Sequence, residues 1–131
     1  MPNGEVKGII EALMRNSNVA FSYLYGSVAR GETHRFSDID IAVYLKDPSV
    51  ESYMEIVRSL PVTRLEVDLR ILNHLPPLLR HKIILEGRLL FVKDREVYER
   101  FVYETLVEAL EIKSQIEDLR RERLEGYLNA S

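Results

Sequence analysis

The period of the hydrophobic positions changes several times along the chain, and each change marks an element. Over residues 5–15, Val6, Ile9, Ile10, Leu13 and Met14 recur at helical spacing. Asn16-Ser17-Asn18 stops that helix. Residues 19–25, VAFSYLY, are β-branched and aromatic, and predict a strand ended by Gly26. Residues 27–30 fit one helical turn behind the glycine, and 31–37 a polar loop. A second strand covers 38–45. A turn at Lys46-Asp47-Pro48-Ser49 leads into a helix over 49–60, which Pro61 ends. Residues 64–72 alternate as a third strand. Pro76 and Pro77 open a further helix to about residue 86. Gly87 caps it ahead of a short edge strand over 88–92. Residues 94–128 contain no proline and a single glycine, Gly126, which predicts one long helix with room for one break. The order is α-β-α-β-α-β-α-β-α. It predicts an α/β layered domain: a mixed central sheet of about four strands, flanked by helices, with a long C-terminal helix. The expected organisation is one domain over 1–131, with a core over 1–93 and the helix over 94–128.

Alternation decides where the charges of two strands go. Residues two apart on a strand face the same side. Asp38 and Asp40 therefore share a side with Ala42 and Tyr44, while Ile39, Ile41 and Val43 face packed helices. In the third strand Leu65, Val67, Leu69 and Ile71 form an apolar side, and Arg64, Glu66, Asp68 and Arg70 a polar one. If the two strands are neighbours, Asp68 lies beside Asp38 and Asp40. Carboxylates so close repel and have raised pKa values unless a cation joins them. Two Mg²⁺ ions held by carboxylates suit phosphoryl and nucleotidyl transfer, and all-oxygen ligands select Mg²⁺ or Mn²⁺ over zinc. The Gly26-Ser27 step adds a place where backbone can approach a phosphate. Taken singly, an Asp-x-Asp is a solvated strand end and a Gly-Ser is a turn. Their order along the chain, followed by Asp68 on an alternating strand, points to a site.

Composition narrows the class. The chain has 131 residues, 46% hydrophobic and 30% charged, as expected of a folded globular protein. A net charge of -3 does not advertise nucleic-acid binding across the surface. There is no cysteine, which removes thiolate metal sites and fits a reducing compartment. No apolar run approaches the roughly 20 residues that span a bilayer, so the expected location is cytoplasmic. His34, His74 and His81 show no ligand spacing.

Gly26-Ser27, ten residues, then Asp38-Ile39-Asp40 resembles the signature of the DNA polymerase β nucleotidyltransferase superfamily. The fuller strings GSVARG and SDIDIAV resemble the minimal nucleotidyltransferase (MNT) antitoxin group, which pairs with HEPN proteins. A weaker likeness runs through Val67-Asp68-Leu69 and HKIILEGRLLF, so that it covers about 26–92. The resemblance implies a polymerase-β-like nucleotidyltransferase fold. It implies that Asp38 and Asp40 bind two Mg²⁺ ions, with Mn²⁺ as an alternative, and that Asp68 is the third catalytic carboxylate. Gly26 and Ser27 would hold the β and γ phosphates of ATP. Arg30 would contact the triphosphate or pin the loop to a carboxylate. His34 in the loop could reach the triphosphate. Arg70 would join a salt-bridged row or touch the nucleotide.

The implied reaction moves AMP from ATP onto a hydroxyl, in the antitoxin branch a tyrosine of a partner HEPN toxin. Two alternatives stand beside it: a binding module that neutralises by occupancy, and transfer to a small molecule. No basic stripe or extra domain supports templated nucleic-acid binding. Tyr98, Val102, Thr105, Ala109, Ile112, Ile116 and Leu119 form a heptad-like seam on the last helix. That seam fits packing on the sheet, a homodimer or a partner surface.

Overall fold

The computed structural model describes residues 3–26 and 38–130. The predicted helical turn at 27–30, the loop at 31–37, and with them Ser27, Arg30 and His34, lie outside the described residues.

Among the described residues the elements follow the predicted order: α1 (Asn3–Arg15), β1 (Val19–Tyr25), β2 (Ile39–Leu45), α2 (Val50–Ser59), β3 (Val67–Ile71), a 3-10 turn (Leu72–His74), α3 (Pro77–Glu86), β4 (Arg88–Val92) and α4 (Arg95–Asn129). The strands form one mixed sheet in the order β3-β2-β1-β4. β1 runs antiparallel to β2 and β4, and β2 runs parallel to β3. That parallel pairing needs a crossover, and α2 supplies it. No helix among the described residues is long and apolar enough to cross a membrane.

The local reasons are ordinary. Ser49 caps α2 by accepting from the Ser52 amide at 3.0 Å, and Asp94 caps α4 by accepting from the Val97 amide at 3.2 Å. β3 is shorter than the alternating run predicted. Its start is diverted because Thr63 Oγ1 donates to the Leu65 carbonyl and the Arg64 amide donates to Glu5 Oε1. Its end passes into the 3-10 turn, where Asn73 exchanges hydrogen bonds of 2.9 and 2.8 Å with the Leu45 backbone. α4 is a single unbroken helix of 35 residues, about 52 Å long at 1.5 Å per residue.

Helices cover both faces of the sheet. Ile9 and Leu13 of α1 and Ile56 of α2 pack on Ile39, Ile41, Val43 and Leu45, the face that alternation predicted. The opposite face is not simply polar. Ala42 is fully buried there, and Phe21 stacks on Tyr44 at 5.1 Å between ring centres, against Phe101 of α4. The face that begins at Asp40 thus turns apolar two residues on, under α3 and α4. The carboxylates stand at its open end.

Candidate functional site

Strand register builds the site. Tyr25 of β1 pairs with Asp40 of β2, and Asp40 pairs with Asp68 of β3. Directly paired residues share a face, so Tyr25, Asp40 and Asp68 form one row across three strands. The amide of Ile39 donates to the Glu66 carbonyl at 2.8 Å, which fixes β2 against the start of β3 and sets this row.

Like charges placed opposite each other destabilise a sheet, and the effect is visible on Asp40. Its pKa is raised, first by burial, then by the Asp68 and Asp38 charges. Arg70 opposes the shift, and a hydrogen bond between the Asp40 and Asp68 carboxyl groups adds to it. Arg70 Nε lies 3.4 Å from Asp68 Oδ2. Both side chains are nearly half exposed, so this pair is weak and leaves the carboxylates undercompensated. The reading of Arg70 as part of a salt-bridged row agrees with this geometry. The Tyr25 hydroxyl is pushed up to about 12, mainly by burial, and it has no hydrogen-bond partner among the described residues.

Gly26 follows directly. Its φ of 76° is the left-handed conformation that side-chain-bearing residues resist. A Cβ placed there would overlap the Asp40 carboxylate, with Asp40 Cγ 3.1 Å away. Glycine is therefore required twice, by backbone conformation and by space. The chain turns tightly at the end of β1 and presents bare backbone beside the carboxylates.

Of the three predicted metal ligands, the structure brings Asp40 and Asp68 together. Asp38 is exposed just ahead of β2 and reaches Asp40 by its charge. Among the described residues no three donors close into a metal-holding group. The donor set fits a hard divalent cation in kind: oxygen ligands only, crowded, with a carboxyl pKa raised by burial and then by mutual repulsion. Asp40 and Asp68, with Asp38 at the rim, are the residues that would hold it.

A cavity of about 220 Å³ opens beside this turn, between the end of β1 and α3, lined by Tyr25, Gly26, Leu79, Lys82, Ile83 and Glu86. The sequence reads Tyr25 only as a strand residue and Glu86 as a helix end, and it gives Lys82 no role. Lys82 and Glu86 lie 56 and 60 residues beyond Gly26, so no local pattern joins them to the glycine turn. α3 reaches the cavity because Arg80 donates to the Leu72 and Asn73 carbonyls and tethers the helix under the exit of β3.

Residues 7–96 match the family described as Polymerase beta, Nucleotidyltransferase. Among solved structures, a toxin-antitoxin with AMP-PNP is similar at 26% identity and a TM-score of 0.73, over 90% of this chain and 97% of that one. A double aspartate-to-glutamate mutant of the toxin-antitoxin MntA-HpeT is similar at 25% identity and a TM-score of 0.73, over 92% of this chain and 98% of that one. A tri-AMPylated Shewanella oneidensis HEPN toxin in complex with MNT antitoxin matches at 21% identity and a TM-score of 0.69, over 95% and 99% of the two chains, a likeness of fold. No curated protein matches the sequence.

Proposed function

The chain belongs to the polymerase beta nucleotidyltransferase family, and from that premise we propose that it is an antitoxin that transfers AMP from ATP to a tyrosine hydroxyl of a partner HEPN toxin. The observation that carries the reading is the Asp40–Asp68 pair, face to face across parallel strands, with the Gly26 turn against it. The solved structures with AMP-PNP and with an AMPylated HEPN toxin support the nucleotide and the acceptor.

In this reading the backbone at Gly26, with Ser27, grips the β and γ phosphates, because glycine alone leaves the backbone open there. Arg30 contributes a cation to the same tail. Mg²⁺, when bound by Asp38, Asp40 and Asp68, neutralises charge that develops on the phosphate oxygens. The acceptor oxygen attacks the α-phosphorus, its bond to phosphorus forms as the Pα–O–Pβ bond breaks, and pyrophosphate leaves. Asp68 stands at the outer edge of the row, where an incoming hydroxyl arrives, and takes its proton. Arg70 orients Asp68 through their ion pair.

The test uses the protein with its cognate HEPN partner and Mg-ATP. Intact-mass spectrometry of the partner should show one added nucleotide monophosphate per transfer. Asp38→Asn/Asp40→Asn protein should add none and should fail to silence the partner. If that variant silences the partner as well as wild type does, and neither adds mass, inhibition is by occupancy and the catalytic reading falls.

A further inference from the structure

The cavity between β1 and α3 abuts the proposed phosphate grip, yet its chemistry is wrong for phosphate. Leu79 and Ile83 give it an apolar wall, and the Tyr25 ring closes one side. Glu86 on the rim would repel a triphosphate. Its volume of about 220 Å³ is below the ~300 Å³ at the small end of whole-ligand pockets, so it suits one ring system. Lys82 and Glu86 stand one helical turn apart on α3, both exposed, one a donor and the other an acceptor. The Tyr25 hydroxyl is buried without a hydrogen-bond partner among the described residues. Apolar walls, an aromatic ring and a donor–acceptor pair at the rim are what a flat heterocycle with hydrogen-bonding edges requires.

We propose that this cavity is the subsite for the purine base of the nucleoside triphosphate, with the base packed between Tyr25 and the Leu79–Ile83 wall and its polar edge met by Lys82 and Glu86. The inference rests on the nucleotidyl-transfer reading and adds the residues that hold the nucleoside. Its placement agrees with the connectivity of a nucleotide: Gly26 is shared by the cavity and the turn, and Asp40, beside it, marks where the α-phosphate reacts.

Calorimetric titrations with Mg-ATP and with Mg-tripolyphosphate separate the base from the phosphates. Wild type should bind ATP more tightly than tripolyphosphate. Leu79→Trp, which fills the cavity, should weaken ATP about tenfold or more, and Lys82→Ala or Glu86→Ala about fivefold to tenfold. All three should hold tripolyphosphate within about twofold of wild type. The exposed Lys82 and Glu86 variants keep the test decisive if Leu79→Trp misfolds. Unchanged ATP binding in the variants overturns the subsite, and parallel loss of ATP and tripolyphosphate reassigns the cavity to phosphate. A wild type that binds neither ligand overturns the nucleotidyl-transfer reading itself, an outcome distinct from both.

Discussion

At Asp40 three demands meet: partial burial, a facing carboxyl from Asp68, and a glycine turn that presses against its side chain. A residue chosen for stability would not be ionisable there. The folded pKa lies above the unfolded value of about 4, so the folded state holds the proton more tightly than the unfolded chain does. The stability linked to that proton is fully present below the unfolded pKa and is lost as pH rises through the folded pKa. Without metal, Asp40→Asn should therefore melt higher than wild type at pH 7, by on the order of 1 kcal/mol. The gap should shrink as pH falls through the folded pKa, because protonation then neutralises the wild-type carboxyl too. Thermal melts in EDTA across pH 4–8 measure it. A variant less stable than wild type at pH 7 would mean that the Asp40 charge is already compensated. Asp40 and Gly26 were legible in the sequence because a glycine and spaced acids at strand ends carry a local signature. Tyr25 was not, because an aromatic at the end of a strand reads as core, and its neighbours are set by register.

At the scale of elements, α4 divides in two. Phe101, Thr105 and Ala109 are buried at four-residue spacing, and Tyr98 places its hydroxyl 3.1 Å from that of Tyr23. Burial and that hydrogen bond hold the Tyr23 hydroxyl above its ordinary pKa. From Glu117 to Ala130 every residue is exposed. The heptad-like seam takes in Thr105 and Ala109 but not the buried Phe101, and its last member, Leu119, is exposed, because periodicity does not say what covers a helix. Its first half packs on the chain's own sheet, because Phe21 and Tyr44 offer it an aromatic floor. The divided helix makes a contrast testable. Phe101→Ala should cost about 3–5 kcal/mol, since it removes a buried ring from that floor. Truncation after Ile116 should leave the denaturation midpoint of the remaining protein nearly unchanged. Urea unfolding of both variants checks the pair, and a large loss on truncation would show that the exposed half contributes to the fold. The third strand illustrates the opposite limit. Alternation alone runs through 64–72, whereas the bonds that Thr63 and Glu5 make to residues 65 and 64 hold the start of the strand back to Val67, and a partner as distant as Glu5 leaves no trace in a local pattern.

At the scale of the whole molecule, the site exists only because the sheet order β3-β2-β1-β4 brings residues 25–26, 40 and 68 together at one end of the strands. Strand alternation predicts that Asp68 lies beside Asp38 and Asp40 if the strands are neighbours, and the parallel register makes Asp68 the direct partner of Asp40. A site assembled from three strands links ligand binding to global stability. Mg-ATP that binds the folded chain and not the unfolded one stabilises it by about 2.7 kcal/mol at 100 times the dissociation constant. The ordered logic of charge sharpens this expectation. Nucleotide without Mg²⁺ brings further negative charge to the Asp40–Asp68 pair and should stabilise weakly or not at all. Mg²⁺ with ATP removes that repulsion, so the two should act together rather than additively. The prediction is a melting temperature that rises with Mg-ATP, falls back when EDTA is added, and does not respond to Mg-ATP in Asp40→Asn/Asp68→Asn protein. That variant should itself be folded and no less stable than the apo wild type, because it has lost the facing charges. Scanning calorimetry of both proteins with ATP, Mg²⁺, and the two combined reads all of these at once. An equal rise in the double variant would place the nucleotide elsewhere on the molecule and leave the carboxylate row without a ligand.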